Sequence, residues 1–155
     1  MRVVKYIDGD PKKFKELMNC FFGIQYRLTQ RAAWPMSYCV RDYPALIKPY
    51  FKKLIASLKR DDLHPAVRRN VLRLLQDVQI PEKWQGEIMD LSINFISSPT
   101  EAIAVKAFAL TVLENMAVEY PEILPEIKTI IEERWEHESP AFKSRAKKIL
   151  KKYKG

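Results

Sequence analysis

Few side chains of this 155-residue chain have the type and spacing for covalent or acid-base chemistry: His64, His137, Cys20, Cys39 and, four residues before His137, Glu133. General acid-base or nucleophilic catalysis needs a base within hydrogen-bond reach of its partner. His64 directly precedes Pro65, at a helix start where a side chain faces solvent. Glu133 and His137 share one helix face at i, i+4 and could hold a cation between them, but a metal site takes three or four ligands, and the pair reads equally well as a solvated helix end. Cys20 and Cys39 lie among aromatic and apolar neighbours, the surroundings of two buried, reduced thiols. Gly9, Gly23, Gly86 and Gly155 are too scattered to build a phosphate-cradling loop. These residues predict no catalytic constellation, no cofactor and no metal.

Binding chemistry is better represented. Lys143, Arg145, Lys147, Lys148, Lys151, Lys152 and Lys154 make the end of the chain basic, with an apolar stripe on the opposite helix face. Lys147, Lys148, Lys151 and Lys152 are the residues expected to meet a polyanion, RNA, DNA or an anionic membrane surface, if one is bound. The same lysines also suit the polar outer face of a terminal helix. Trp34-Pro35 interrupts a helical stretch from Gln25 to Arg41: Pro35 has no N–H for the carbonyl of Arg31, which predicts a kink and a free acceptor. Tyr26, Tyr38 and Tyr43 lie nearby and can serve a binding surface or the edge of the core.

Net charge is +8, unevenly distributed. Residues 1–80 carry 16 basic and 7 acidic side chains, residues 81–138 carry 4 and 12, and residues 139–155 carry 7 and none. An acidic belt between basic ends is a poor continuous track for a nucleic-acid backbone and suits a partner with its own charge pattern.

The elements that must position these residues are helices. Apolar residues recur at offsets of 4, 3, 1 and 3, one stripe of a helix, at Ile47, Phe51, Leu54, Ile55 and Leu58, at Val67, Val71, Leu74, Leu75 and Val78, and at Val105, Ala109, Val112, Leu113 and Met116. Phe142, Ala146, Ile149, Leu150 and Tyr153 repeat it. The series from Trp84 to Phe95 and from Ile123 to Ile131 hold nearly the same register. Prolines punctuate the stripes at Asp10-Pro11, Tyr43-Pro44, His64-Pro65, Ile80-Pro81, Ser98-Pro99, Tyr120-Pro121 and Ser139-Pro140, as helix starts do, and Gly23 can close the first helix. Eight helices in one domain, residues 1–155, are predicted. Pro44, Pro81 and Pro121 are 37 and 40 apart, and Pro65, Pro99 and Pro140 are 34 and 41 apart, a period that suits helix-pair repeats.

His64-Pro65-Ala66-Val67-Arg68-Arg69-Asn70-Val71-Leu72 resembles the first helix of a HEAT repeat. Arg31-Ala32-Ala33-Trp34, the tract Ala104 to Ala109 and the ending Ala141 to Lys152 resemble a group of small bacterial HEAT-like proteins, some labelled adenylosuccinate lyase. The resemblance implies an all-α fold, an α-α superhelix of antiparallel HEAT-like (armadillo-type) helix pairs, and no established activity. The flexible Ser-Ser-x-Met-Pro loop of the lyases is absent: Ser97-Ser98-Pro99 reads as a helix cap.

In HEAT proteins the second helix of each pair usually lines the concave face. Taking the helices that start near Pro44, Pro81 and Pro121 as those helices, the groove presents Lys52 and Lys53, then Asp90, then Lys128, Glu132 and Glu133, with Trp34 and Tyr38 at the kink. The expected function is a non-enzymatic module that presents this groove to a protein or peptide partner, whose approach its graded charge would steer. The alternative is nucleic-acid binding in the manner of HEAT-like DNA glycosylases, against which the acidic belt argues. Arg2 and Lys5 flank too few apolar residues for a signal-peptide core, and no run approaches the roughly 20 apolar residues of a membrane helix, so no membrane insertion and a cytoplasmic location are expected.

Overall fold

The stripes become buried helix faces. The computed structural model describes the backbone of residues 2–22 and 26–153, and the side chains of these residues apart from 2 and 26–30. The expected cap at Gly23, the helix start at Gln25, the Tyr26 side chain and Lys154 lie outside the described residues. All regular structure among the described residues is helical, and the chain divides into two compact units, Met1–Pro81 and Glu82–Gly155.

In the first unit, α1 (Arg2–Ile7), α2 (Pro11–Phe21) and α3 (Tyr26–Asp42) pack together, α2 most extensively with α3. Asp10 starts α2 as the sequence predicts, its carboxylate accepting from the N–H of Lys12 at 2.9 Å. A 3-10 segment, Pro44–Tyr50, leads into α4 (Phe51–Leu58). Pro49, inside that segment and without an N–H to donate, breaks the run of α-helical hydrogen bonds there, whereas Pro44 stands at its first position, where no donor is needed. α5 (Pro65–Leu75) then packs on α4 and α3, started by His64, whose Nδ1 accepts from the N–H of Ala66 at 3.1 Å. The stripe Ile47, Phe51, Leu54, Ile55, Leu58 is wholly buried.

Tyr43 ties the start of this unit to its middle. Its hydroxyl donates to Asp8 at 2.9 Å, and its ring lies against Gly9, where a Cβ would come within 2.8 Å of it. Asp8 and Gly9 both have positive φ, 39° and 78°, so the α1–α2 turn requires glycine at position 9 for space and for conformation.

In the second unit, α6 (Glu82–Ser97) and α7 (Ile103–Ala117) form the most extensively packed pair, α9 (Pro140–Tyr153) covers α7, and α8 (Leu124–Arg134) packs on α6 and α9. Short 3-10 segments, Pro121–Ile123 and Trp135–His137, flank α8. Because α6 and α9 both cover α7, it is buried on most sides, and its buried residues include Lys106. The Lys106 ammonium is ion-paired with Glu138 and donates to the carbonyl of Ser98 at 2.6 Å, while Nε of Arg134 donates to the same Glu138 oxygen at 2.9 Å. This cluster binds the α6–α7 loop and the first turn of α7 to the α8–α9 turn.

Several expectations are corrected. The described residues hold nine α-helices, the additional one being α1, too short to leave a periodic signature. Pro99 does not begin α7, which starts four residues later at Ile103; the Ser98 hydroxyl accepts from the N–H groups of Thr100 and Glu101 and shapes the loop. The pairing is α2 with α3, α6 with α7 and α8 with α9, so the helices that begin near Pro81 and Pro121 come first in their pairs. Cys39 is buried as expected, but Cys20, at the edge of the stripe Phe14, Leu17, Met18, Phe21, is half-buried; both are free thiols.

Candidate partner-binding surface

Trp34 and Tyr38 are four apart on α3 and therefore share a face. Their rings stack at 6.2 Å between centroids and 26° between planes. Each carries a guanidinium: that of Arg73, from α5, lies 3.5 Å from the centre of the Trp34 ring, and that of Arg41 lies 4.5 Å from the centre of Tyr38. The order along this surface is Arg73, Trp34, Tyr38, Arg41. Packing of α5 on α3 supplies Arg73, and Pro35, buried directly after Trp34, sets that residue's side toward the core. Trp34 remains 52% exposed even so, among the largest exposed apolar side chains of the described residues. Pro35 leaves the Arg31 carbonyl without its helical donor, as expected from sequence, while α3 continues through it from Tyr26 to Asp42.

Arg31, Ala32 and Pro35 of α3 border a groove between α1, α2 and α3 with a volume of about 260 Å³. Tyr6, Leu17, Cys20, Ala32 and Pro35 form an almost wholly apolar lining, with Lys13, Glu16 and Arg31 at its rim. The Lys13 ammonium sits 4.6 Å above the Tyr6 ring. Val3 and Tyr6 are 44% and 57% exposed beside it, so the apolar surface continues outward.

The structure brings together Trp34 and Tyr38, and separately Lys128 and Glu132, which form an i, i+4 ion pair at 3.9 Å. Lys52 and Lys53 are exposed on α4, and Asp90 is exposed on α6. Glu132 and Glu133 border a cleft of about 450 Å³ with Trp135, Glu136, His137 and Leu150 in the second unit. No group of three or more His, Cys, Asp or Glu among the described residues is placed to hold a metal ion. Lys147, Lys148, Lys151 and Lys152 are exposed along α9, and Lys152 is held to Glu114 of α7 at 3.1 Å. Arg73 and the groove went unread in the sequence. Arg73 sits between the stripe members Val71 and Leu74, and only the packing of α5 against α3 brings it to Trp34.

The family model described as HEAT repeat domain matches residues 1–153. The chain belongs to the HEAT repeat domain family. No curated protein and no solved structure matches it. Membership fits the observed pairing: α6 with α7 and α8 with α9 are two successive helix pairs, with α6 on α8 and α7 on α9, as stacked HEAT repeats require. It makes this chain a helical-repeat scaffold, a class whose members usually mediate protein interactions. Among the described residues no helix is long and apolar enough to cross a membrane.

The same pairing bears on where a HEAT scaffold meets its partner. α3 and α5, which carry the Arg73-Trp34-Tyr38-Arg41 row, follow α2 and α4 respectively as second helices of pairs. Lys52, Lys53, Asp90, Lys128, Glu132 and Glu133 all lie on first helices.

Proposed function

We propose that this HEAT repeat domain is a non-enzymatic module that docks a protein segment on the α3–α5 face of its first unit, with Trp34 at the centre. The observation that carries the reading is the row Arg73, Trp34, Tyr38, Arg41, in which Trp34 and Arg41 are exposed and Arg73 and Tyr38 are half-buried. Trp, Tyr and Arg are the residues that dominate binding energy at protein interfaces. Here they are held in position before any partner arrives, which lowers the ordering cost of binding. Lys52 and Lys53 on the neighbouring α4 are secondary contacts that steer a charged partner, and Asp90, Lys128, Glu132 and Glu133 give the second unit a charged surface of its own. A cytoplasmic location belongs to the same reading, supported by the two free thiols.

Nucleic acid is the second reading, favoured by the net charge of the first unit, 16 basic against 7 acidic side chains over Met1–Pro81, and by aromatic rings beside arginines. Protein is preferred because guanidiniums already cover a face of Trp34 and a face of Tyr38, where bases would stack. The test is affinity purification from the native host with the unaltered chain, Trp34→Ala and Arg73→Glu in parallel, each treated with nuclease. A discrete set of proteins should be retained by the unaltered chain and lost with both variants. Retention that is equal in all three, or that disappears on nuclease treatment, would reject the protein reading.

A further inference from the structure

Beside the Trp34 row lies the α1–α2–α3 groove, bordered on α3 by Arg31, Ala32 and Pro35, which has no part in the stacking. At about 260 Å³ it is smaller than the roughly 300–1,000 Å³ of sites that enclose a cofactor or drug-sized ligand, yet larger than the roughly 150 Å³ that accepts a benzene ring. Its size is that of an anchor pocket for one or two side chains. The lining of Leu17, Ala32, Pro35 and the Tyr6 ring requires that such side chains be apolar.

The rim and its surroundings set the charge of what carries that anchor. Arg31 is exposed and makes no ion pair among the described residues, and Lys13 interacts with the Tyr6 ring, with Glu16 the single carboxylate at the rim. Arg31 lies three residues before Trp34, within one helical turn, so one extended segment of a few residues at about 3.3 Å each reaches both the groove and the Trp34 row. Along that path it meets Arg31, Arg73 and Arg41.

We infer that the α1–α2–α3 groove receives a large apolar side chain of an acidic peptide segment, whose flanking carboxylates pair with Arg31 and with the arginines of the Trp34 row. This inference rests on the protein-docking reading and gives it a partner chemistry: a short motif of Leu, Ile, Phe or Trp among Asp and Glu. Cys20 reports on it directly. Its half-buried thiol lines the groove, while Cys39 is buried, so an occupant should shield Cys20 and leave Cys39 as it was.

The experiment is selection of random 12-residue peptides on the full chain, followed by binding of the enriched peptides in solution and iodoacetamide alkylation of Cys20 with and without them. Enriched peptides should carry one large apolar residue flanked by at least two carboxylates. They should bind about tenfold more weakly when that residue becomes Ala or when Arg31 becomes Glu, recover with Arg31→Lys, and slow Cys20 alkylation in proportion to occupancy. Peptides that depend on Trp34 and Arg73 yet leave Cys20 alkylation unchanged would overturn the groove assignment while leaving the Trp34 docking face intact. Enrichment of basic or uncharged sequences, absence of any enrichment, or displacement of the peptides by oligothymidylate at physiological salt would overturn it as well. Host proteins retained without dependence on Trp34 would instead reject the docking face itself, whatever the peptides do.

Discussion

The two units of this HEAT repeat domain differ in where particular charged side chains are used, although both contain ion pairs, such as Arg60 with Asp62 and Arg68 with Asp61 in the first. In Glu82–Gly155 a group of cations bridges helices: Lys106 and Arg134 pair with the buried Glu138, Arg145 donates to the hydroxyl of Thr111 at 3.0 Å, and at the surface Lys152 pairs with Glu114. In Met1–Pro81, Arg73 and Arg31 make no ion pair among the described residues; Arg73 covers an exposed tryptophan, and Arg31 borders an open apolar groove. With 11 basic and 12 acidic side chains the second unit is nearly neutral, whereas the first has a net charge of +9. Polar groups that bridge helices hold a fold together, and polar groups left at a surface beside aromatic rings are available to a partner. The Glu138 cluster is thus the candidate for stability, and the Trp34 row the one for the recognition proposed above.

The sharpest way to break that contrast is Glu138→Ala. Removing one member of a buried pair strands the others, at a cost of about 3–5 kcal/mol, and Lys106 and Arg134 would both lose their carboxylate. A large drop in the denaturant midpoint is expected for Glu138→Ala, and a much smaller one when Lys106→Met is added, since an apolar replacement removes the stranded charge. If the double variant is no more stable than the single, the cluster does not work by charge pairing.

Trp34→Ala should act in the opposite sense. Its loss from a half-exposed position ought to change stability by about 1 kcal/mol or less, the size of an exposed cation–π contact plus partial packing, while partner affinity falls by about 2 kcal/mol or more. Melting and binding measured on one preparation test both halves. A collapse of the first unit would mean that Trp34 is a structural residue.

The smallest expected effect concerns the anchor of α1, which walls the groove. The hydrogen bond from Tyr43 to Asp8, and the Asp8 charge beside it, raise the phenol's pKa above the ordinary tyrosine value. A pKa raised on folding contributes stability that is fully present below about pH 10 and is lost as pH rises through the raised value. Urea midpoints of the unaltered chain should therefore decline slightly more between pH 9 and 11 than those of Tyr43→Phe. Parallel pH profiles would show that the bond does not matter to the anchor.

Much of the helical framework was legible because helical period and proline position are local properties. The stripe from Ile47 to Leu58 is buried in full, and the helix starts at Pro11, Pro65 and Pro140 stand where the sequence puts them, while Pro44 and Pro121 open 3-10 segments that lead into α4 at Phe51 and α8 at Leu124. α1 escaped because six residues span less than two turns, and Pro99 misled because proline suits a loop bend as readily as a first turn. Trp34 and Tyr38 could be named from the sequence as residues of one helix face, since their spacing alone puts them there, but whether that face was open or at the edge of the core could not. Lys106 illustrates the limit. It looks like an ordinary surface residue in Ala104-Val105-Lys106-Ala107, and only Glu138, 32 residues away, makes its burial possible.

What the sequence determined by itself is therefore the set of helices, their apolar faces and the family to which they belong, because each depends on spacing within a few turns. Which helix pairs with which, which guanidinium reaches Trp34, and that Cys20 opens onto a groove while Cys39 does not were decided by tertiary packing. The physical reason is that a stripe specifies that a face must be covered but not what covers it. Arg73 meets Trp34 through the packing of α5 on α3, across 39 residues of chain that no local pattern spans.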